Sequence, residues 1–243
     1  MKATLRLSFC LLCACWLAPA GAGRQPGTVA AAGPRAVRQA APQRPAPAEA
    51  KKNARRPADE RAAGEPFDKA TPAEMSRQCV TLDTEEGTVV VEMLAEAAPE
   101  NARNFLNLAA TGAFDTTTFS RVVRGFIVQG GNLWTRETMP PALAQRARRT
   151  VGDEPSEVKH TRGVVSMART AEPNSATTHF FILVGDGPHL DGTFSAFGRV
   201  RSGMEAVDKM NAAEVEGDAP KKPVRLRRAT AAPCPAPEAP PQP

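Results

Sequence analysis

Apolar positions are arranged in short runs from Cys79 onward, whereas residues 24–64 hold almost none. The segment CVTLDTEEGTVVVEML, from Cys79 to Leu94, has two β-rich runs separated by Glu86-Gly87, which predicts a hairpin. APENARNFLNLAATG follows with a different period. Pro99 suits a first helical turn, Ala102, Phe105, Leu106 and Ala109 fall at helical spacing, and Gly112 suits the C-terminal cap. Further strands are predicted at 119–123, 126–129, 163–167 and 179–184, another from Phe194, and a last one over Pro223–Ala229. SGMEAVDKM predicts a second helix before that last strand. Many short strands with two helices point to an antiparallel barrel or sandwich and do not fit a βαβ pattern. Leu133 to His160, rich in Arg and Pro, is expected to be a long irregular surface loop, a kind of segment that often carries function.

One stretch breaks the pattern. In FSRVVRGFIVQGGN, Phe119 to Asn132, strict alternation puts Arg121 on the same face as Phe119 and Val123, and Gln129 closes a second apolar run. A charged side chain among apolar neighbours needs a partner or a task. Glu137 and Asp153 are candidate partners that would make Arg121 structural, and Gly125 permits a kink that could turn Phe126 toward the polar side.

Composition divides the chain further. Residues 24–64 are Ala, Pro, Arg and Lys with no aromatic residue, too little apolar surface to offset the entropy of ordering. Their nine Lys and Arg against three Asp and Glu account for more than the whole net charge of +5, so the part from Glu65 onward is acidic. A basic tail without aromatic stacking residues or a reading motif does not support nucleic-acid binding. The first residues have a positive start (Lys2, Arg6), an apolar run from Leu7 to Leu17, and small residues at Ala18, Ala20 and Ala22, which read as a secretory signal. A rival reading takes Leu12-Cys13-Ala14-Cys15 as a lipoprotein processing box, with Cys15 lipidated as a membrane tether. The expected organisation is thus a signal at 1–22, a disordered tether at 23–75, a folded domain at 76–231 and a proline-rich disordered tail at 232–243. Export to the periplasm or cell envelope, soluble or anchored, follows from this reading. It leaves Cys79 and Cys234 where disulfides can persist.

The familiar reactive constellations are missing. His160, His179 and His189 have no ligand spacing, and neither metal nor cofactor is expected. Ser166 and Ser175 lack a nucleophile elbow, with no acidic residue obviously placed to orient a histidine. Gly130-Gly131 does not complete a phosphate loop.

FSRVVRGFIVQGG, followed in order by GVVSMART, SATTHFFILV and HLDGTFSAFG, resembles the cyclophilin family of peptidyl-prolyl cis/trans isomerases, from about Cys79 to Thr230. The resemblance implies a mainly β fold, a closed eight-stranded antiparallel barrel capped by two helices, with its site on the barrel's outer face. It implies that Arg121 is the catalytic arginine and Gln129 a grip on the substrate backbone. Phe126, Ile127, Phe181 and Leu190 would wall the proline pocket, with Ala168 and Arg169 at the edge where the backbone docks. His179, His189 and Phe194 occupy site positions where the family usually has Gln, Trp and His, and Ser120 and Arg124 replace a usual His and Pro. Activity is expected to be kept and cyclosporin binding to be weak. In this fold the first and last strands pair antiparallel, which brings Cys79 toward Cys234 and implies a disulfide. The function implied is cofactor-independent isomerisation of Xaa-Pro bonds in proline-containing polypeptides during folding of exported proteins, by a monomer. The alternative is an envelope-tethered module or holdase that binds proline segments with low turnover.

Overall fold

A computed structural model describes residues 65–235, so the signal, the tether up to Gly64 and the end of the proline-rich tail lie outside the described residues. The elements run α1 (Pro72–Met75), β1 (Gln78–Thr84), β2 (Gly87–Met93), α2 (Pro99–Ala110), β3 (Arg121–Val123) and β4 (Ile127–Gly130). They continue with a 3-10 turn (Leu133–Thr135), α3 (Pro141–Arg146), β5 (Val164–Met167), β6 (Phe180–Leu183) and a second 3-10 turn (Pro188–Leu190). β7 (Ala196–Ser202), α4 (Met204–Asn211), a small β8–β9 hairpin (Val215–Glu216, Ala219–Pro220) and β10 (Leu226–Pro233) complete the domain. No described helix is long and apolar enough to cross a membrane.

Eight strands form one antiparallel sheet in the order β10-β1-β2-β7-β5-β6-β4-β3. The sheet curls without closing as a full ladder. Its edges β10 and β3 meet only near an isolated Thr118–Arg225 bridge, where Phe119 N donates to Val224 O (2.9 Å) and Leu226 N to Thr117 O (2.8 Å). Successive side chains point to opposite faces of a strand, so each strand feeds two environments. In β6, Phe180 and Ile182 enter the main core, whereas Phe181 and Leu183 join a second, outer apolar cluster. That split is why all four residues of β6 are buried.

The main core is closed by α2. Phe105 packs its ring against Phe114, Phe180 and Phe197 at centroid distances of 5.3, 5.0 and 4.9 Å. The helix lacks a side-chain cap of its own, since its N-cap is Ala98. Glu154, from the long loop, supplies it: its carboxylate accepts from Glu100 N (3.0 Å) and Asn101 N (2.9 Å), where the helix dipole also favours a negative charge. The loop expected to be irregular therefore contains α3 and pins α2.

The start of the domain also shifts. Residues 65–75, expected to belong to the tether, are packed against α2 and α3, with Met75 fully buried. Thr71 and Glu74 form a capping box around α1, Glu65 pairs with Arg146 and Arg149, and Asn107 accepts from Phe67 N (2.9 Å). These polar contacts carry no periodic apolar signal, so hydrophobic patterning does not reveal them. At the other end β10 runs to Pro233, beyond the expected boundary, and Cys234 forms a disulfide with Cys79.

Candidate functional site on the outer face of the sheet

Strand register assembles the site. Arg121 on β3 lies opposite Gln129 on β4, Gln129 opposite Phe181 on β6, and Phe181 opposite Ser166 on β5. Paired residues share a face, so one row crosses four strands from the charged edge to the apolar centre. Ile127, Phe181, Leu183, Leu190, Val164 and Ala196 form the buried floor, and Val123, Phe126, Val158, Ala168 and Phe194 pack around it. Phe181 meets Phe194 edge-on at 6.0 Å, and Phe126 lies 5.3 Å from the His189 ring. Arg169 stacks over Phe194, its guanidinium carbon 4.8 Å from the ring centre, and its Nε is 3.5 Å from Asp153 Oδ2.

Arg121 has a carboxylate partner, and it is neither of the two candidates. Its Nε and Nη2 donate to Asp218 Oδ2 at 3.0 and 2.8 Å, and Nη1 reaches Gln129 Oε1 at 3.4 Å. Both earlier candidate partners are engaged elsewhere, Glu137 with Arg225 and Asp153 with Arg169. Nor do Phe119 and Arg121 share an environment. Phe119 turns into the core over Gly130, where a Cβ would meet its ring at 3.0 Å, and regular strand geometry begins only at Arg121.

The turn between β3 and β4 is held from outside. Gly125 adopts φ +72°, a left-handed conformation unfavourable for other residues, and its N–H donates to Asn211 Oδ1 (2.8 Å). Asn211 Nδ2 donates in turn to Val123 O (2.9 Å) and Ile127 O (3.0 Å). Phe126 is thereby presented at the rim by a buried amide at the end of α4.

At its β5 end the row joins a second polar set through Ser166. His160 Nδ1 is 3.1 Å from Asp191 Oδ1 and Nε2 is 2.9 Å from Ser166 Oγ, the outline of a Ser-His-Asp arrangement that the sequence reading did not find. Ser166 is 0 % exposed, which closes its hydroxyl to any substrate. Burial pushes the His160 pKa down despite the neighbouring Asp191, so the ring is neutral: with its proton on Nδ1 facing the carboxylate, Nε2 accepts from Ser166. The His160 backbone N–H, then its ring, hold the Asp191 carboxyl below the usual carboxylate range. This network satisfies buried polar groups and is not a nucleophile.

Residues 79–231 match the family model "Cyclophilin type peptidyl-prolyl cis-trans isomerase/CLD". The chain belongs to the cyclophilin-type peptidyl-prolyl cis-trans isomerase family. It is 37 % identical over 158 residues to peptidyl-prolyl cis-trans isomerase cypE of Dictyostelium discoideum, covering 65 % of this chain and 99 % of that one. It is 34 % identical over 166 residues to peptidyl-prolyl cis-trans isomerase B of Escherichia coli K12, covering 62 % and 98 %. A cyclophilin-type isomerase of Cryptosporidium parvum, solved in the presence of the dipeptide Ala-Pro, superposes with a TM-score of 0.55 at 27 % identity, covering 63 % of this chain and 97 % of that one.

Within this cyclophilin domain the predicted site residues fall in one region. Phe126, Ile127, Ala168, Phe181, Leu190 and Phe194 belong to the outer cluster, with Arg121 and Gln129 on its β3–β4 side and Arg169 and His189 stacked on its rim. His179 adjoins Ala168, whose N–H donates to His179 O at 2.9 Å. No described side chain hydrogen-bonds the His179 ring, and burial lowers its pKa. Three contributors were not recognised from the sequence: Asp218, Asn211 and the His160–Asp191 pair. Each acts through contacts with residues distant in sequence, and no short motif marks it. Among the described residues, no three His, Cys, Asp or Glu side chains cluster as ligands for a metal.

Proposed function

We propose that this cyclophilin accelerates cis/trans exchange at Xaa-Pro bonds of exported polypeptides, using the outer groove between Arg121 and the Phe181 cluster. The observation that carries the reading is the row Arg121–Gln129–Phe181: a fixed donor, a backbone grip and an apolar floor on adjacent strands. The prolyl amide is held planar by resonance, with a barrier of about 18–20 kcal/mol. No bond is made or broken, so the catalyst needs only to bind the twisted amide better than the planar one.

Each residue type suits that task. A proline ring laid on Ile127, Phe181 and Leu190 buries three methylenes, about 2 kcal/mol at roughly 0.8 kcal/mol each. Phe126 and Phe194 wall the pocket. Gln129 holds the substrate backbone with its free amide hydrogens, aided by the polar edge at Ala168, Arg169 and His179. As the amide twists, a lone pair localises on the prolyl nitrogen, and the Arg121 guanidinium donates toward it or the adjoining carbonyl. That interaction strengthens only in the twisted state.

Export is supported by the signal-like residues 1–22 and by the Cys79–Cys234 disulfide, which suits an oxidising compartment. The mass of the mature N-terminus separates cleavage after Ala20 or Ala22 from lipidation at Cys15. The function itself is tested with an Ala-Pro peptide: acceleration of its isomerisation by the full chain is expected, and none would defeat the enzyme reading. Binding without acceleration would instead favour a tethered proline-segment module, a reading to which the carboxylate against Arg121 gives some support.

A further inference from the structure

The guanidinium of Arg121 is held from both sides of its own strand. Gln129 lies across the β3–β4 ladder on the groove side. On the other flank the β8–β9 hairpin packs along β3, where Val122 N donates to Asp218 O at 2.8 Å. A planar guanidinium has five N–H donors in a rigid fork. Asp218 Oδ2 receives Nε and Nη2, which form one edge of that fork, and Nη1 is directed to Gln129 Oε1. The remaining N–H groups of Nη1 and Nη2 form the end of the fork, and Nη1 is directed to Gln129, the strand partner of Phe181 in the apolar cluster.

We propose that Asp218 is a positioning residue for isomerisation: its carboxylate fixes the plane of the Arg121 guanidinium so that the end of the fork faces the prolyl amide. This rests on the isomerase reading above. The carboxylate has two opposing effects. It partly neutralises the cation, which weakens any electrostatic pull on the substrate, and it restrains a long side chain that would otherwise sample many rotamers. The Arg121 and Asp218 side chains are 46 and 51 % exposed, so water screens the charge between them, whereas the restraint on geometry is not screened. Positioning is therefore the larger effect. The fold does not depend on this carboxylate, because the hairpin is attached to β3 through the Asp218 backbone carbonyl.

Asp218→Ala and Asp218→Asn in the full chain test the proposal. With an Ala-Pro peptide, Asp218→Ala is expected to lower kcat about tenfold, equivalent to about 1.4 kcal/mol, with KM within twofold and an unchanged melting temperature. Asp218→Asn, whose amide oxygen accepts the same N–H groups, is expected to recover most of that loss. In an Arg121→Ala background, Asp218→Ala should have no further effect, since it acts through the guanidinium. A readout independent of turnover is the order parameter of the Arg121 Nε–H by 15N relaxation, expected to fall in Asp218→Ala and return in Asp218→Asn. Unchanged order and unchanged or faster kcat in Asp218→Ala would overturn the proposal. If the wild type shows no acceleration, the isomerase reading fails, while the order parameter still decides whether Asp218 holds Arg121.

Discussion

Removing the disulfide should lower stability while leaving the site intact. Cys79 lies on β1 and Cys234 just beyond β10, at the far end of the β1–β10 ladder from Leu226, where β10 meets the β3 edge. The bridge closes a loop with a sequence separation of 155, for which the chain-entropy relation gives an upper value of about 5 kcal/mol at 25 °C. Measured stabilisations usually fall at about 2–4 kcal/mol, since unfolded chains retain structure, so about 3 kcal/mol is expected here. At roughly 2–4 °C per kcal/mol for a domain of this size, the Cys79→Ser/Cys234→Ser protein should melt about 6–12 °C lower. The native ladder should survive, because β1 pairs with β10 over seven positions independently of the sulfurs. The assay is calorimetry of oxidised, reduced and double-Ser protein, with Ala-Pro isomerisation at 25 °C measured alongside. Equal melting of all three forms, or loss of turnover at a temperature where the double-Ser protein is folded, would refute this reasoning.

Other perturbations separate pocket, turn and protonation. Phe181→Ala removes a buried ring shared by the floor and the Phe194 contact and should cost about 3 kcal/mol of stability with a raised KM; denaturant unfolding and peptide kinetics check both. Asn211→Ala removes the partner of Gly125 N–H and one donor each to the Val123 and Ile127 carbonyls, Val123 O keeping Phe126 N, so about 1–3 kcal/mol of stability should be lost and KM should rise as Phe126 loosens. Burial lowers the pKa of both His160 and His179 from 6.5, so below that value the unfolded chain binds more protons than the folded one. Stability should therefore be level above neutrality and fall as pH drops through the window beneath 6.5, less steeply in His179→Gln. Urea titrations across that range would contradict the sign if acidification stabilised the protein.

Much of the architecture was legible because burial imposes a period. The β1–β2 hairpin, α2 with Pro99 at its start, and β4, β5 and β6 lie within a few residues of where alternation and helical spacing put them. Ile127, Phe181 and Leu190 were singled out by the family resemblance and not by periodicity, which marks them only as buried; they share one apolar cluster, Leu190 reaching it from a 3-10 turn. What periodicity cannot express is a contact between polar groups distant in sequence. Arg121 and Asp218 are 97 residues apart, and Glu154 reaches Asn101 across 53. The segment 65–75 shows the same limit, since it is fixed by Glu65, Arg103 and Asn107 as much as by Met75. Alternation also misled at Phe119, where the chain leaves the β10 edge before β3 begins and the face of each side chain changes.

In the proposed mechanism, a guanidinium fixed beside an apolar floor preferentially stabilises the twisted prolyl amide. Steady-state isomerisation of an Ala-Pro peptide by wild type and Arg121→Ala tests it most directly. Arg121→Ala is expected to lose about a thousandfold in kcat/KM, equivalent to about 4 kcal/mol, carried by kcat with the apolar grip on proline retained. An Arg121→Ala protein as fast as the wild type would contradict it.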